Sequence, residues 1–313
     1  MPEYLKLSEG KQRSLLEELK LSTGLTWNRI AELMKVHKST LYLYLNDRIK
    51  IPKDRLELLC RTMHKDFKKY ENLETIQLNY NNKKIIKRPN LKSINLAEFC
   101  GILLGDGCIY SGTPAICISG HKIHDKEFLR DHVRMLYNIL FGVKPYYYEN
   151  DKTNEIRCIV NSKSLTEFLI SNELFVSGKK NKNNAKIPDT FFEDINLLKA
   201  CLRGISDTDA SICPHPNTKV MYHLTVKCPE LFESVLRAFE IINFPIKKSG
   251  DNIYFYGEKL LNKFFLEIGS SNPKHFLKWK KILDSGKMPR VTQLNELLDN
   301  GPGRNRTGYL HLA

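Results

Sequence analysis

The feature that most constrains this chain is a doubled order of elements. A first stretch opens with the apolar helix LAEFCGILLGDG, then strands CIYS and AICIS, then the helix DKEFLRDHVRMLYNILF. The segments KPYYYEN and EIRCIVNS read as a hairpin, and the helix SLTEFLISNEL and the basic loop SGKKNKNNAKIP follow. A second stretch opens with LLKACLRGISDTDASIC and continues with strand VMYHLTVK, helix PELFESVLRAFEIINF, strands PIKKS and NIYFYG, helix EKLLNKFFLEIG and SSNPKHFLKWKKI. Both read as helix, two strands, helix, two strands, helix. The match is one of order rather than identity, and it predicts two copies of one structural unit.

The two opening helices carry the chemistry. Set in register, Gly101 matches Gly204, Gly105 matches Thr208, and Asp106 matches Asp209. Small residues four apart share a helix face and let two backbones pack closely. The helices are expected to cross along Gly101/Gly105 and Gly204/Thr208. Asp106 and Asp209 then lie side by side at the bottom of the crossing. Two close carboxylates repel, and the conflict is resolved either by sharing a proton or by binding a divalent cation.

Charge narrows the partner. The chain has 313 residues, 42% of them hydrophobic, and a formal net charge of +14. A core is within reach, and a surplus that large suits a polyanion, with nucleic acid the first candidate over an anionic membrane. No apolar run is long enough to span a bilayer, and the first residues lack a secretory apolar core. The eight cysteines form no CxxC pair, which argues against a zinc ribbon and for a reducing compartment. A cytoplasmic protein is expected.

The region before the repeats looks all-helical. LTWNRIAELMKVHKSTLYLYLNDRIKIPKDRLELL has helix-turn-helix grammar: a helix from about Trp27 to Met34, a turn at Lys35 and Val36, a second helix from Thr40 to Leu45 introduced by Ser39 and Thr40, and a closing helix near Pro52. Ala31 is the small residue at the crossing. Docking geometry makes His37, Lys38, Ser39, Thr40, Tyr42 and Tyr44 candidates for DNA contact; the competing reading is a helical domain that docks onto protein.

With LLGDG and GISDTDA placed in paired repeats, the chain resembles the LAGLIDADG homing endonucleases, in their single-chain two-repeat form, behind a repressor-like helix-turn-helix. The resemblance covers about residues 95 to 285. It implies an α+β fold: tandem pseudo-symmetric αββαββα repeats forming a DNA-binding saddle, preceded by an all-α domain. Expected boundaries are 1–65 for the helix-turn-helix, 66–92 for a basic linker with one short strand, 93–192 and 193–288 for the repeats, and 289–313 for a flexible tail.

The resemblance further implies metal-dependent double-strand cleavage of DNA at a long asymmetric target. Asp106 and Asp209 would hold Mg²⁺, with Mn²⁺ as an alternate. Lys180 (with Lys179 and Lys182 as neighbours) and Lys274 match the family's basic positions after the last helix of each repeat. His121, beside Gly120, and Lys227 match those after the second strand. Asp207 reads as structural. Ala210 and Ser206 depart from the family pattern without removing a metal ligand. By strand alternation Tyr110, Tyr146, Tyr148, Arg157, Tyr222, His223, Thr225, Lys247, Tyr254 and Tyr256 are candidates to face DNA. Two linked repeats supply both half-sites, so a monomer is expected. The alternatives are a non-catalytic transcription regulator on the same fold and a maturase acting on its own intron RNA. An intein origin is not expected from Met1 or from the ending His-Leu-Ala.

Overall fold

The computed structural model describes residues 7, 9–64, 66, 75–79 and 84–300. The chain divides into two compact units, Met1–Arg88 with Lys163–Leu165, and Pro89–Ser162 with Thr166–Ala313.

In the first unit, α1 (Lys11–Thr23), α2 (Trp27–Leu33), α3 (Lys38–Leu45) and α4 (Lys53–Thr62) surround one apolar core. Leu15, Leu16, Leu19, Ile30, Met34, Leu41 and Leu59 are buried in it, spaced as amphipathic helices require. Ala31 is buried with them, as its small size at the helix crossing predicts. Gln12 fastens α1 to the end of α3: its amide donates to the carbonyls of Tyr44 (2.9 Å) and Ile49 (2.8 Å) and accepts from the Ile51 N–H (3.3 Å). A fully buried amide is stable there because each of these polar atoms is partnered. The helix expected from Thr40, α3, begins earlier, at Lys38, because His37 is its cap and accepts from the Ser39 N–H. The expected linker holds a hairpin rather than one strand, β1 (Thr75–Asn79) paired antiparallel with β2 (Lys84–Lys87). Before Lys84, the linker residues other than Asp66 and Thr75–Asn79, its basic ones among them, lie outside the described residues.

The second unit is the doubled one. Its first copy runs α5 (Ile94–Asp106), β3 (Gly107–Ile109), β4 (Ala115–His121), a π-helical turn (Phe128–Val133) leading into α6 (Arg134–Phe141), β5 (Tyr146–Asn150), β6 (Glu155–Asn161) and, from Thr166 on, α7 (Lys163–Ser171). Its second runs α8 (Ile195–Asp209), β7 (Ala210–His215), β8 (Lys219–Thr225), α9 (Pro229–Ile241), β9 (Lys247–Ser249), β10 (Asn252–Tyr256), α10 (Glu258–Glu267) and α11 (Pro273–Ser285). The two four-stranded antiparallel sheets share one strand order, β3-β4-β6-β5 and β7-β8-β10-β9. This is the predicted α+β arrangement of tandem αββαββα units behind a helical region.

Each sheet buries one face. Ile116, Ile118, Ile156, Cys158 and Val160 point into the first core, where Phe99 meets Tyr137 edge-on at 4.8 Å. Val220, Tyr222, Leu224, Ile253 and Phe255 fill the second, with Tyr222 stacked on Phe255 at 4.6 Å. The segment after Pro289, expected as a flexible tail, contains α12 (Val291–Asn300), with Leu294 buried. Residues beyond Asn300 lie outside the described ones.

Candidate active site

The site is built at the crossing of α5 and α8. Gly101 lies against Cys201: a Cβ there would run into the Cys201 carbonyl. A Cβ on Gly204 would strike the Glu98 carbonyl and come within 2.7 Å of the Ile102 nitrogen. A side chain at either position would force the backbones apart. One turn on, a Cβ on Gly105 would clash with the Thr208 side chain and lie 3.4 Å from the Asp209 carboxyl carbon. The helices therefore end together, at Asp106 and Asp209.

Both carboxyls are raised above the usual carboxylate range. Burial pushes Asp209 up to about 7, with the Asp106 charge adding to it and Lys180 and Lys274 opposing. Asp106 is raised by burial and by Asp125, again against Lys274 and Lys180. Like charges in a half-buried place produce this pattern. The residues fit a hard divalent cation: oxygen donors of like charge, in a position where a cation would relieve their repulsion. Among the described residues no group of three or more His, Cys, Asp or Glu converges on one point. Asp106 and Asp209 would be the protein side of such a cation. That suits Mg²⁺, which keeps waters and takes substrate phosphate oxygens, better than a closed zinc site.

Of the four candidate basic residues, Lys180 and Lys274 are drawn inward, by different partners. Lys180 Nζ donates to the carbonyl of Leu104 at 2.7 Å and to that of Gly105, at the end of α5. A cation there satisfies two orphan carbonyls and meets the negative end of the helix dipole. Burial lowers its pKa against the pull of Asp209 and Asp106. The neighbouring alternatives Lys179 and Lys182 are exposed and are not the inward lysine. Lys274 is buried and bonded to Asp125, Nζ to Oδ1, at 2.7 Å. The other pair is not drawn in. Lys227 is exposed. His121 is occupied by its own turn, where Nδ1 accepts from the N–H of Ile123 (3.2 Å) and of His124 (3.3 Å), and its ring stacks on His124.

Three buried groups escaped the sequence reading. Glu98, in α5, receives His132 Nε2 (2.7 Å), Arg203 Nη2 (2.7 Å) and the Ser271 hydroxyl (2.6 Å). Burial pushes its carboxyl up, but the His132 hydrogen bond and charge and the Arg203 guanidinium outweigh this and hold it at about 2. The signal was an acid within a largely apolar helix and an arginine on the helix that must face it. Asp125 and Asn272 left no such signal. Asp207 is structural, as expected: Oδ2 accepts from the Ser271 N–H (2.8 Å) and Oδ1 from the Ser270 hydroxyl.

The faces of the sheets opposite the core carry Tyr110, Tyr146, Tyr148 and Arg157 in one copy, and His223, Thr225, Lys247, Tyr254 and Tyr256 in the other. Arg157 is held by Glu155 through two bonds of 2.8 Å. Lys247 donates to the Tyr256 hydroxyl at 2.7 Å and lies over its ring. Tyr222 does not belong with them: it is 1% exposed, in the core, with its hydroxyl 2.7 Å from that of Ser206. In the helical unit His37, Lys38, Ser39 and Tyr42 are exposed and Thr40 is half-buried. Tyr44, expected to contact DNA, is 4% exposed and packs into the core, because it shares a helix face with Leu41 and Leu45.

No family model matches the sequence, and no curated protein matches it. Solved structures do resemble it. Full-length DUF199/WhiA from Thermatoga maritima is 14% identical, with 69% of this chain and 70% of that chain covered and a TM-score of 0.42. I-DmoI in complex with DNA and Mn is 16% identical, over 56% of this chain and 97% of that one, at 0.38. The LAGLIDADG meganuclease I-AabMI bound to uncleaved DNA is 11% identical, over 67% and 99%, also at 0.38.

Proposed function

We propose that this chain is a metal-dependent endonuclease that cuts both strands of DNA at a long asymmetric site, acting as a monomer in the manner of the LAGLIDADG homing endonucleases. The observation that carries the reading is the acid pair: Asp106 and Asp209 end two helices stitched together by glycine, each raised in pKa by burial, and Asp209 further by its neighbour. A fold gains nothing in stability from two buried like charges, and such strain points to a site of chemistry.

Asp106 and Asp209 would hold Mg²⁺, or Mn²⁺ in its place. The bound ion would activate water toward the phosphodiester and stabilise the leaving oxygen. Lys180 and Lys274 supply positive charge beside the acids, where a scissile phosphate gathers negative charge. The open sheet faces offer tyrosines, Arg157 and Lys247 to base edges and phosphates. The +14 net charge supports binding at the backbone. In the helical unit, Lys38, Ser39 and Tyr42 extend the recognised sequence.

The test is cleavage of a randomised double-stranded DNA library by the purified protein with Mg²⁺ or Mn²⁺, beside Asp106→Asn. Cuts enriched at one long sequence and absent from the variant are expected. Specific retention of DNA with no cutting under any divalent ion would replace the nuclease with a DNA-binding regulator.

A further inference from the structure

The two halves of the site are not chemically equivalent, and the difference lies at one position repeated in both. After the second strand of each copy the chain makes a matching bond: Lys122 N–H to the Asn154 carbonyl (2.7 Å) and Val226 N–H to the Asp251 carbonyl (2.8 Å). The next helical stretch then begins at Lys126 in the first copy and at Pro229 in the second, and the residues before these starts are Asp125, three residues past the matching bond, and Cys228, two residues past it. Both reach across to the lysine segment of the opposite copy. Cys228 offers only a thiol, Sγ to the carbonyls of Ala185 (3.4 Å) and Lys180 (3.7 Å). Asp125 offers a carboxylate.

That carboxylate is fully committed. Oδ1 accepts from Lys274 Nζ at 2.7 Å and from Asn272 Nδ2 at 2.8 Å, and Oδ2 accepts from the His121 N–H at 2.8 Å. The fit is close, since a Cβ on Gly120 would come within 2.8 Å of the Asp125 Cβ. Burial pushes the acid up, yet Lys274 and these donors hold it below its usual range. The positive charge of Lys274 is therefore largely matched before any phosphate arrives. Lys180 bonds directly only to uncharged helix-end carbonyls, with no carboxylate in hydrogen-bond contact to match its charge.

We infer that Asp125 is a positioning residue that pins and partly neutralises Lys274, so that Lys180 and Lys274 act unequally and the two DNA strands are cut at unequal rates. The inference rests on the nuclease reading above. Asp125→Asn keeps the size and the acceptor but removes the charge, and so unmasks Lys274.

Two readouts test it on the full chain. The first is strand-resolved cleavage of a supercoiled plasmid carrying the selected target. The wild type should cut one strand at least about threefold faster than the other, and Asp125→Asn should bring the ratio close to one. In a Lys274→Met background, Asp125→Asn should leave the ratio unchanged. A ratio is internal to each reaction, so partial misfolding does not move it. Equal strand rates in the wild type, or a ratio indifferent to Asp125→Asn, would overturn the inference. The second readout needs no DNA: reductive methylation of Lys274 by formaldehyde and cyanoborohydride, located by mass spectrometry, should rise several-fold in Asp125→Asn. Unchanged reactivity overturns the pinning. Absence of all cleavage would defeat the nuclease reading and the strand inequality with it, while Lys274 reactivity would still decide whether Asp125 governs that lysine.

Discussion

The α-carbon of Gly101 rests against the backbone carbonyl of Cys201, with no room for a single methyl group between them. The helices that carry Asp106 and Asp209 are thus in backbone contact, and the separation of the two acids is set by that contact rather than by flexible side chains. Gly101→Ala should cost at least about 3 kcal/mol, because the obstacle is a main chain that cannot rotate away. Gly105→Ala meets the Thr208 side chain instead, and Thr208→Ala should recover part of its smaller loss, since it removes the hydroxyl but leaves a Cβ 2.8 Å away. Denaturant melts of the two single variants and the double variant would check this. Equal costs at Gly101 and Gly105, or no recovery by Thr208→Ala, would contradict the contact geometry.

The acid pair should be visible in the stability of the metal-free protein. Asp209 is pushed up to about 7 in the folded chain, against about 4 for an unfolded aspartate. A carboxyl raised on folding opposes the fold once it ionises. The penalty is absent below about pH 4 and complete above about pH 7. Asp209→Asn should therefore stabilise the metal-free protein at pH 8 by on the order of 2–4 kcal/mol, and by nothing at pH 4. Thermal melts across that range, in chelator, measure the difference. A variant less stable than the wild type at pH 8 would mean that the charge is already compensated.

Glu98 runs the opposite way. Its carboxyl is held at about 2 by His132 and Arg203 despite burial. A group lowered on folding contributes stability above its unfolded pKa, near 4, and loses it as pH falls through its folded value. Glu98→Gln leaves the partly buried Arg203 without its hydrogen-bonded counter-charge and should cost about 3 kcal/mol at neutral pH. Replacing both, as Glu98→Gln with Arg203→Met, should recover much of that. Urea melts at pH 7 of the single and double variants decide it; an unaffected Glu98→Gln would show that the network is solvated.

The sequence exposed those parts of the site that depend on local spacing. Gly101, Gly105 and Asp106 repeat in Gly204, Thr208 and Asp209, and small residues four apart admit few other uses. Asp125 was illegible because its partner Lys274 lies 149 residues away, in the other copy, and nothing in the HKIHDKE turn marks a buried acid. Tyr44 and Tyr222, candidates for DNA contact, turn inward for a different reason. A strand or a short helix has two faces, and periodicity does not say which is turned to the core. Tyr222 alternates in step with Val220 and Leu224, and that phase puts it inside. The helix Val291–Asn300 was legible but overlooked. Val291, Leu294 and Leu298 have helical spacing, and the Arg290 N–H bonds to Gln293 Oε1 at 3.1 Å, as in a capping box.

Recognition should separate surface from core in the helical unit. Lys38 and Tyr42 are exposed on α3, whereas Tyr44 is buried on it. If α3 meets DNA through its exposed face, Lys38→Ala removes one phosphate contact. The slope of log affinity against log salt should then fall by about 1, with little change in stability. Tyr44→Ala should instead destabilise the helical unit by about 3 kcal/mol or more, and any loss of affinity should follow the loss of folded protein. Salt titrations of Ca²⁺-supported binding, paired with thermal melts, distinguish the two. An unaltered slope for Lys38→Ala, with affinity intact, would remove α3 from the DNA interface and leave the sheets as the reading surface.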